Sequence, residues 1–313
     1  MEVVLGVDIG GTNIKLCLLS CSGKVMKEGM IPTVQEEGVE GAASRVNRWL
    51  VDNSFNEYRL AGVGIGCAGL INKDDGVVIS SPNLPGWEGA SLKDVFKGVL
   101  GRDVIVENDA NCAAFGEYAS GAGKNSNTFV CITLGTGVGG GIIVDGKLLT
   151  GSRGFAGEIG HIVIDPSGPE CGCGRRGCLE AFIGASAIVR MFMEELKKRR
   201  PGALADLDGI TVRDISAYAR DGDMVAIDVL KMTGKYLAMG LSVLMHLLNP
   251  DVVAVGGGVA NAGELILEPA RDELKGLLMH RVLGEVKIVR AELGSMASAL
   301  GSAFLAREVF CGS

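Results

Sequence analysis

Three cysteines and one histidine of this chain fall within 18 residues: His161, Cys171, Cys173 and Cys178. Thiolate sulfur and imidazole nitrogen are the donors that Zn²⁺ prefers, and four of them close a tetrahedral structural site. Cys171 and Cys173 stand too close in sequence to bridge easily as a disulfide, and Gly172 and Gly174 let the backbone fold tightly around an ion. Two carboxylates, Glu158 and Glu180, flank the set. Two readings follow. The segment is a zinc knuckle that only staples a loop, or the metal fixes a loop on which Glu158, His161 and Glu180 present polar groups to a ligand.

Three glycine loops carry a second kind of chemistry: Asp8-Ile-Gly10-Gly11-Thr12, with Asn13 next to it, Gly135-Thr136-Gly137, and Gly256-Gly257-Gly258. Each follows an apolar run. Exposed backbone N–H groups at such loops cradle phosphate oxygens without a lysine, and Thr12 and Thr136 add hydroxyl donors. None has the Gly-Lys-Ser/Thr of a P-loop. Asp8 ends the first run, at the rim where α/β sheets bind ligands. A carboxylate beside phosphates helps only if a cation intervenes, so Asp8 is either a Mg²⁺ contact, direct or through water, or a turn cap.

Glu107-Asn108-Asp109 also follows an apolar run and opens a helical pattern. Asp109 there either caps the helix or accepts the proton of a sugar hydroxyl that attacks a γ-phosphate. Asn108 offers a donor and an acceptor to a polyol. Asn83, in the polar turn Pro82–Trp87, offers the same, while Trp87 is expected to pack.

These residues need a frame that holds them. Val3–Ile9, Ile14–Leu19 and Lys24–Met30 read as strands joined by tight turns, and Leu60–Ile65 and Asp103–Val106 as further strands. Helical spacing marks 37–51, 91–100 and 109–118. After a Gly/Ser/Asn-rich break at Ser120–Asn127, Thr128–Leu134, a glycine turn and Val138–Val144 repeat the opening pattern. Helices at 185–199, 211–220 and 224–248, a strand at 252–255, another at 286–289 and a last helix at 296–309 complete an α/β chain. The length of 313 residues suggests two domains.

A net charge of −7 argues against a general nucleic-acid surface. Of nine cysteines, Cys17, Cys67, Cys112 and Cys131 sit singly in apolar runs and read as buried thiols of a reducing compartment. The longest apolar stretch, Tyr236–Leu248, is 13 residues and too short for a bilayer. No targeting segment is evident: Leu18-Leu19-Ser20-Cys21 faintly resembles a lipoprotein cleavage site, but Asp8 and Lys15 interrupt the run before it. The expected location is the cytoplasm.

Taken together, these motifs resemble the ROK family of sugar kinases, and the likeness runs through nearly the whole chain. Asp8-Ile-Gly-Gly-Thr12 is similar to that family's first phosphate loop, Leu134–Gly141 to its second and Val255–Gly258 to its adenosine loop. Glu158-Ile-Gly-His161 with the three cysteines is similar to its sugar-and-zinc segment. The resemblance implies an α/β fold of two actin-like (ribonuclease H-like) domains, with a central cleft and a zinc-binding loop at 161–178. The domains would be residues 1–119 and 120–295, with the final helix, about 296–309, packed back onto the first. It implies ATP and Mg²⁺ as cosubstrates, Zn²⁺ on the cysteine cluster, and Asp109 as general base. Asn83, Asn108, Asp109, Glu158, His161 and Glu180 would hold the sugar, with His161 using one ring nitrogen for zinc and the other for the sugar. Relatives are commonly homodimers or homotetramers. The expected reaction is phosphorylation of glucose to glucose 6-phosphate. Kinases for N-acetylmannosamine, N-acetylglucosamine, fructose or allose are the enzymatic alternatives. A sugar-sensing regulator is the remote one, because the phosphate loop begins at Asp8 and leaves no room for a preceding DNA-binding segment.

Overall fold

The structure, a computed structural model, describes residues 1–53, 58–199 and 209–312. Strands β1 (Glu2–Ile9), β2 (Asn13–Ser20) and β3 (Val25–Pro32) form an antiparallel meander. β4 (Arg59–Cys67) pairs parallel to β1. A short ribbon, β5 (Leu70–Asn72) and β6 (Val77–Ser80), stands apart, and β7 (Val104–Asn108) closes the sheet in the order β3-β2-β1-β4-β7. Helices α1 (Gly38–Asp52) and α2 (Leu92–Leu100) connect these strands, and α3 (Asp109–Ser120) follows β7 directly. Ser91 caps α2 by accepting from the Asp94 amide, as its position before the apolar spacing predicts.

The second half repeats the plan. β8 (Thr128–Leu134), β9 (Val138–Val144) and the two-residue β10 (Lys147–Leu148) form a meander, to which β11 (Val252–Gly256) and β12 (Lys287–Arg290) add in parallel. The order is β10-β9-β8-β11-β12. A short α4 (Glu180–Ile183) leads into α5 (Ala185–Arg199), α6 (Val212–Arg220), α7 (Met224–Leu248) and α8 (Glu264–Leu277), and α9 (Ala297–Phe310) ends the chain. In both halves the central strand runs into a glycine loop and returns as its antiparallel neighbour. The C-terminal ends of the parallel strands in each sheet carry the functional loops. No helix among the described residues is long and apolar enough to cross a membrane.

Alternation along β1 explains the layers. Val3, Leu5, Val7 and Ile9 face a core with α1 and α2 that also buries Trp87 and Phe96. Val4 faces the opposite way, into a core built from α3, α9 and the near face of β8 and β9. A third core lies under α5 to α8. The two halves are therefore joined through packed helices and not through a loose linker. α9 returns to the first sheet: Gly6 of β1 and Gly64 of β4 face it, and a Cβ on Gly6 would meet the Ala299 carbonyl oxygen at 2.1 Å. Ser302 Oγ donates to the Val7 carbonyl and Arg307 Nε to the Cys21 carbonyl.

Cys17, Cys67, Cys112 and Cys131 are free and buried, as expected. Burial, with Glu28 adding a smaller push, raises the Cys17 thiol to about 12, which leaves it inert. Cys21 and Cys311 differ from these four, and a bridge between them is not what a reducing compartment predicts. They form a disulfide, with Cα atoms 5.5 Å apart, that ties the end of α9 to the turn after β2. A bridge between residues 290 apart restricts the unfolded chain strongly, and typical bridges contribute about 2–4 kcal/mol. Cys311→Ser, or reductant on the native protein, is therefore expected to lower stability by about that amount in chemical denaturation. An unchanged midpoint after complete reduction of the native protein would show that the bond contributes nothing.

Candidate active site

Glycine loops, the Pro82–Trp87 turn and the start of α3 surround the cleft. The first glycine loop closes with the Gly10 amide donating to the Asn13 carbonyl at 3.1 Å and Thr33 Oγ1 donating to the Gly10 carbonyl at 2.7 Å. Gln35 Nε2 donates to the carbonyls of both Gly11 and Asn83, which joins this loop to the Pro82–Trp87 turn. Trp87 is 1% exposed and packs, as expected. The second loop spans Gly135–Gly137 between β8 and β9. In the third, Gly257 has φ +88°, and a Cβ there would lie 2.2 Å from the Leu134 carbonyl oxygen at the base of the second loop. Only glycine lets these two loops touch.

Asp8 is 6% exposed, yet both of its oxygens have partners. Lys15 Nζ of β2 lies 3.0 Å from Oδ2, and Ser298 Oγ of α9 donates to Oδ1 at 2.9 Å. Each oxygen keeps a second lone pair, so the carboxylate remains able to accept from a cation's water shell.

At the start of α3 the capping and chemical roles separate onto neighbouring residues. Asn108 is the N-cap: its Oδ1 accepts from the amides of Ala110 and Asn111, and its Nδ2 donates to the Gly69 carbonyl. Asp109, the first helical residue, is left at the cavity. Its Oδ1 accepts from the Ala110 amide at 2.9 Å. Burial, then the nearby Asp8 charge, push the Asp109 carboxyl up to about 6, against the pull of backbone N–H groups and Lys15. Glu158 stands on the cleft wall. The protein around it raises its carboxyl, the neighbouring Glu180 adds to this, and His161 opposes it.

A cavity of about 320 Å³ brings together Asn83, Asn108, Asp109, Glu158, Glu180 and the Gly135–Gly137 loop, with Gly257 on the far side. Asp8, Gly10, Gly11, Thr12, Asn13, Gly256, Gly258 and His161 do not line it. Asp8 acts on Asp109 through its charge. The first glycine loop adjoins the cavity at Asn83, where a Cβ on Gly11 would lie 2.6 Å from the Asn83 carbonyl oxygen.

The donor atoms of His161, Cys171, Cys173 and Cys178 all lie within 4.8 Å of one another. Cys171 Sγ is 3.7 Å from His161 Nδ1, and Cys173 Sγ is 3.7 Å from Cys178 Sγ. Donors bound at about 2.0–2.3 Å around one tetrahedral ion stand roughly 3.3–3.8 Å apart, so the set fits a single metal. Nδ1 of His161 points into the cluster, which leaves Nε2 for another partner. Glu180 links cluster to cleft: Oε1 accepts from Cys171 Sγ at 3.4 Å and Oε2 from the Val138 amide at 2.9 Å.

Four residues of the site escaped the sequence reading. Lys15 carried a signal, a lysine inside the apolar run of β2. Glu107 and Asn111 carried a weaker one, polar groups flanking a helix start. Ser298 carried none, because 290 residues separate it from Asp8.

A family model described as "ROK family" matches residues 4–309. The chain is 37% identical to a glucokinase of Thermotoga maritima, with 97% of each chain covered. It is 38% identical to a glucokinase of Streptomyces coelicolor, with 98% of each covered. The crystal structure of a ROK family glucokinase from Streptomyces griseus in complex with glucose and AMPPNP superposes with a TM-score of 0.82 at 37% identity, covering 98% of this chain and 99% of that one.

Proposed function

The chain belongs to the ROK family, and on that premise we propose that it is an ATP-dependent sugar kinase that phosphorylates glucose at its 6-hydroxyl. The observation that carries this reading is the position of Asp109. A carboxyl raised to about 6 lies in one cavity with a glycine loop suited to phosphate and with the carboxylates of Glu158 and Glu180, which suit sugar hydroxyls. The relatives described above are glucokinases over nearly their whole length.

In this reading the sugar 6-oxygen attacks the γ-phosphorus. The bond from that phosphorus to the bridging oxygen of ADP breaks, and the hydroxyl proton passes to Asp109, which later releases it to solvent. The Gly135 amide closes the loop by donating to the Gly137 carbonyl, so the amides of Thr136 and Gly137 would be the ones to meet the phosphates, and Asn83, Glu158 and Glu180 orient the sugar. A hydroxyl is a poor nucleophile, so a base whose pKa sits just below neutral is ionised at working pH and still basic enough to take the proton. Mg²⁺, reached through the solvent shell of Asp8, would neutralise the nucleotide phosphates. We assign Zn²⁺ to the His161, Cys171, Cys173 and Cys178 set. There it would hold Nδ1 of His161 and fix the tautomer at Nε2, although His161 itself does not line the cavity.

Four outcomes are expected. With ATP and Mg²⁺, a panel of glucose, mannose, fructose, allose, N-acetylglucosamine and N-acetylmannosamine should give the highest kcat/KM on glucose. Turnover confined to an N-acetyl sugar would move the substrate, and no turnover on any would sink the kinase reading. Asp109→Asn should keep sugar binding and lose about 10²–10⁴-fold in kcat. Because the ionised carboxylate is the active form, wild-type kcat/KM should fall about tenfold per pH unit below about 6 and level off above it. A flat profile down to pH 5 would exclude Asp109 as the base. Cys173→Ser should lower zinc content, measured by atomic emission, and raise the KM for sugar more than that for ATP. Full zinc content with unchanged kinetics would separate the metal from the sugar site.

A further inference from the structure

The wall of the cavity holds one polar atom that the proposed reaction leaves unused. Asn111 lies in the first turn of α3, is 3% exposed and lines the same cavity as Asp109. Its Nδ2 donates to Glu107 Oε1 at 2.9 Å. An ionised carboxylate only accepts, so Glu107 decides which end of the Asn111 carboxamide faces it. The carbonyl end, Oδ1, is turned away, is buried, and meets no donor among the described residues. Buried acceptors in folded proteins are almost always paired, so an orphan in a ligand cavity asks for a donor that arrives later.

What it faces is informative. Oδ1 lies 3.5 Å from the position a Cβ on Gly157 would take. Gly157 has φ +91° and immediately precedes Glu158, the carboxylate expected on the sugar. Neither the Gly157 amide nor the Glu158 amide donates to an acceptor among the described residues. An acceptor without a donor and a loop amide without an acceptor thus stand beside each other, on the segment that carries a sugar contact.

We propose that Asn111 is a positioning residue for the Gly154–Glu158 loop. When a hexose fills the cavity the loop settles against α3, the Gly157 amide donates to Asn111 Oδ1, and Glu158 is held toward the sugar. Glu107 keeps the carboxamide in the orientation this needs. The inference rests on the sugar-kinase reading above and adds a way for sugar binding to order its own ligand loop.

The test compares wild type with Asn111→Leu and with the double variant Glu107→Gln/Asn111→Asp. The leucine removes the acceptor at similar size. The double variant exchanges donor and acceptor across the pair, keeps the net charge and retains an oxygen facing Gly157. Glucose affinity is read by calorimetry without nucleotide, KM for glucose and ATP by steady-state kinetics, and melting temperature with and without glucose. Asn111→Leu is expected to weaken glucose binding about tenfold, the worth of one hydrogen bond. It should leave the KM for ATP near wild type, lower the ligand-free melting temperature only by the loss of the Nδ2–Glu107 bond, and shrink the glucose-induced rise in melting temperature. The double variant should recover most of the glucose affinity. A wild-type glucose affinity in Asn111→Leu overturns the inference, as does an equal loss for glucose and ATP together with a lower ligand-free melting temperature. If Asn111→Leu does not fold, a folded double variant that still binds glucose tenfold more weakly than wild type overturns it. A wild-type protein that binds no hexose overturns both this inference and the kinase reading, whereas an active wild type beside an unperturbed leucine variant overturns this inference alone.

Discussion

The structure depends on one close approach, the crossing of α3 and α9 between the two sheets. A Cβ on Gly301 would lie 1.7 Å from the Cys112 carbonyl oxygen, and one on Gly116 would lie 2.4 Å from that of Ala297. Two backbones meet there with no side chain between them, an approach only glycine permits. α3 packs on β8 and β9 while α9 packs on β1 and β4, so the crossing fixes one sheet against the other. Glu117 secures it further. Its fully buried carboxylate accepts from the amides of Ala122, Glu292 and Leu293, which ties the end of α3 to the segment that leads into α9. Ionised acceptors bound to several amides are among the stronger hydrogen bonds available inside a protein.

The chemistry is referenced to that crossing. Asp109 and Asn111 stand at the start of α3, and Ser298, at the start of α9, holds Asp8. Both helices begin at the cleft, so their positive ends favour the negative charge that gathers there. The cleft is rich in carboxylates, and their mutual repulsion has a use. The Asp8 charge helps raise Asp109 toward neutrality, while Lys15, paired to Asp8, tempers that effect. In the kinase reading a base of useful strength results from the balance of a burial cost and one like charge against backbone N–H groups and one opposite charge.

Much of this was legible in the sequence, and the omissions have physical reasons. Strands at the centre of each sheet showed as β-branched runs closed by glycine, and the repetition of strand, glycine loop and strand announced two halves on one plan. The expected edge at Val106 came two residues early, because Glu107 and Asn108 stay in the ladder beside Gly66 and Cys67 even though both are polar. The β5–β6 ribbon was missed, since three- and four-residue strands leave too little alternation to read. At Glu107-Asn108-Asp109 the sequence left Asp109 as either helix cap or base and read Asn108 only as a polyol contact, whereas Asn108 takes the cap. Only the hydrogen bonds of Asn108 free Asp109 for chemistry. The Cys21–Cys311 bond and the Ser298–Asp8 bond each join residues 290 apart, and no local pattern encodes such a meeting.

The cysteine cluster then acquires a reason to lie beside the cleft. A metal that merely stapled a loop would serve equally well anywhere on the surface. Here Glu180 spans the two regions, accepting from Cys171 on one side and from the Val138 amide on the other, at the end of the Gly135–Gly137 loop. Its Oε2 also lies 2.7 Å from where a Cβ on Gly137 would sit, so the loop can approach the carboxylate this closely only because it is glycine. Glu180 therefore stands between the cluster and the Gly135–Gly137 loop, within reach of both. On the other flank His161 stands three residues after Glu158, with its Nδ1 turned into the cluster. In the kinase reading the cluster, with a metal bound, would thus lie beside both the segment proposed for the sugar and the loop proposed for the phosphates, and a direct transfer requires those two to be held close together.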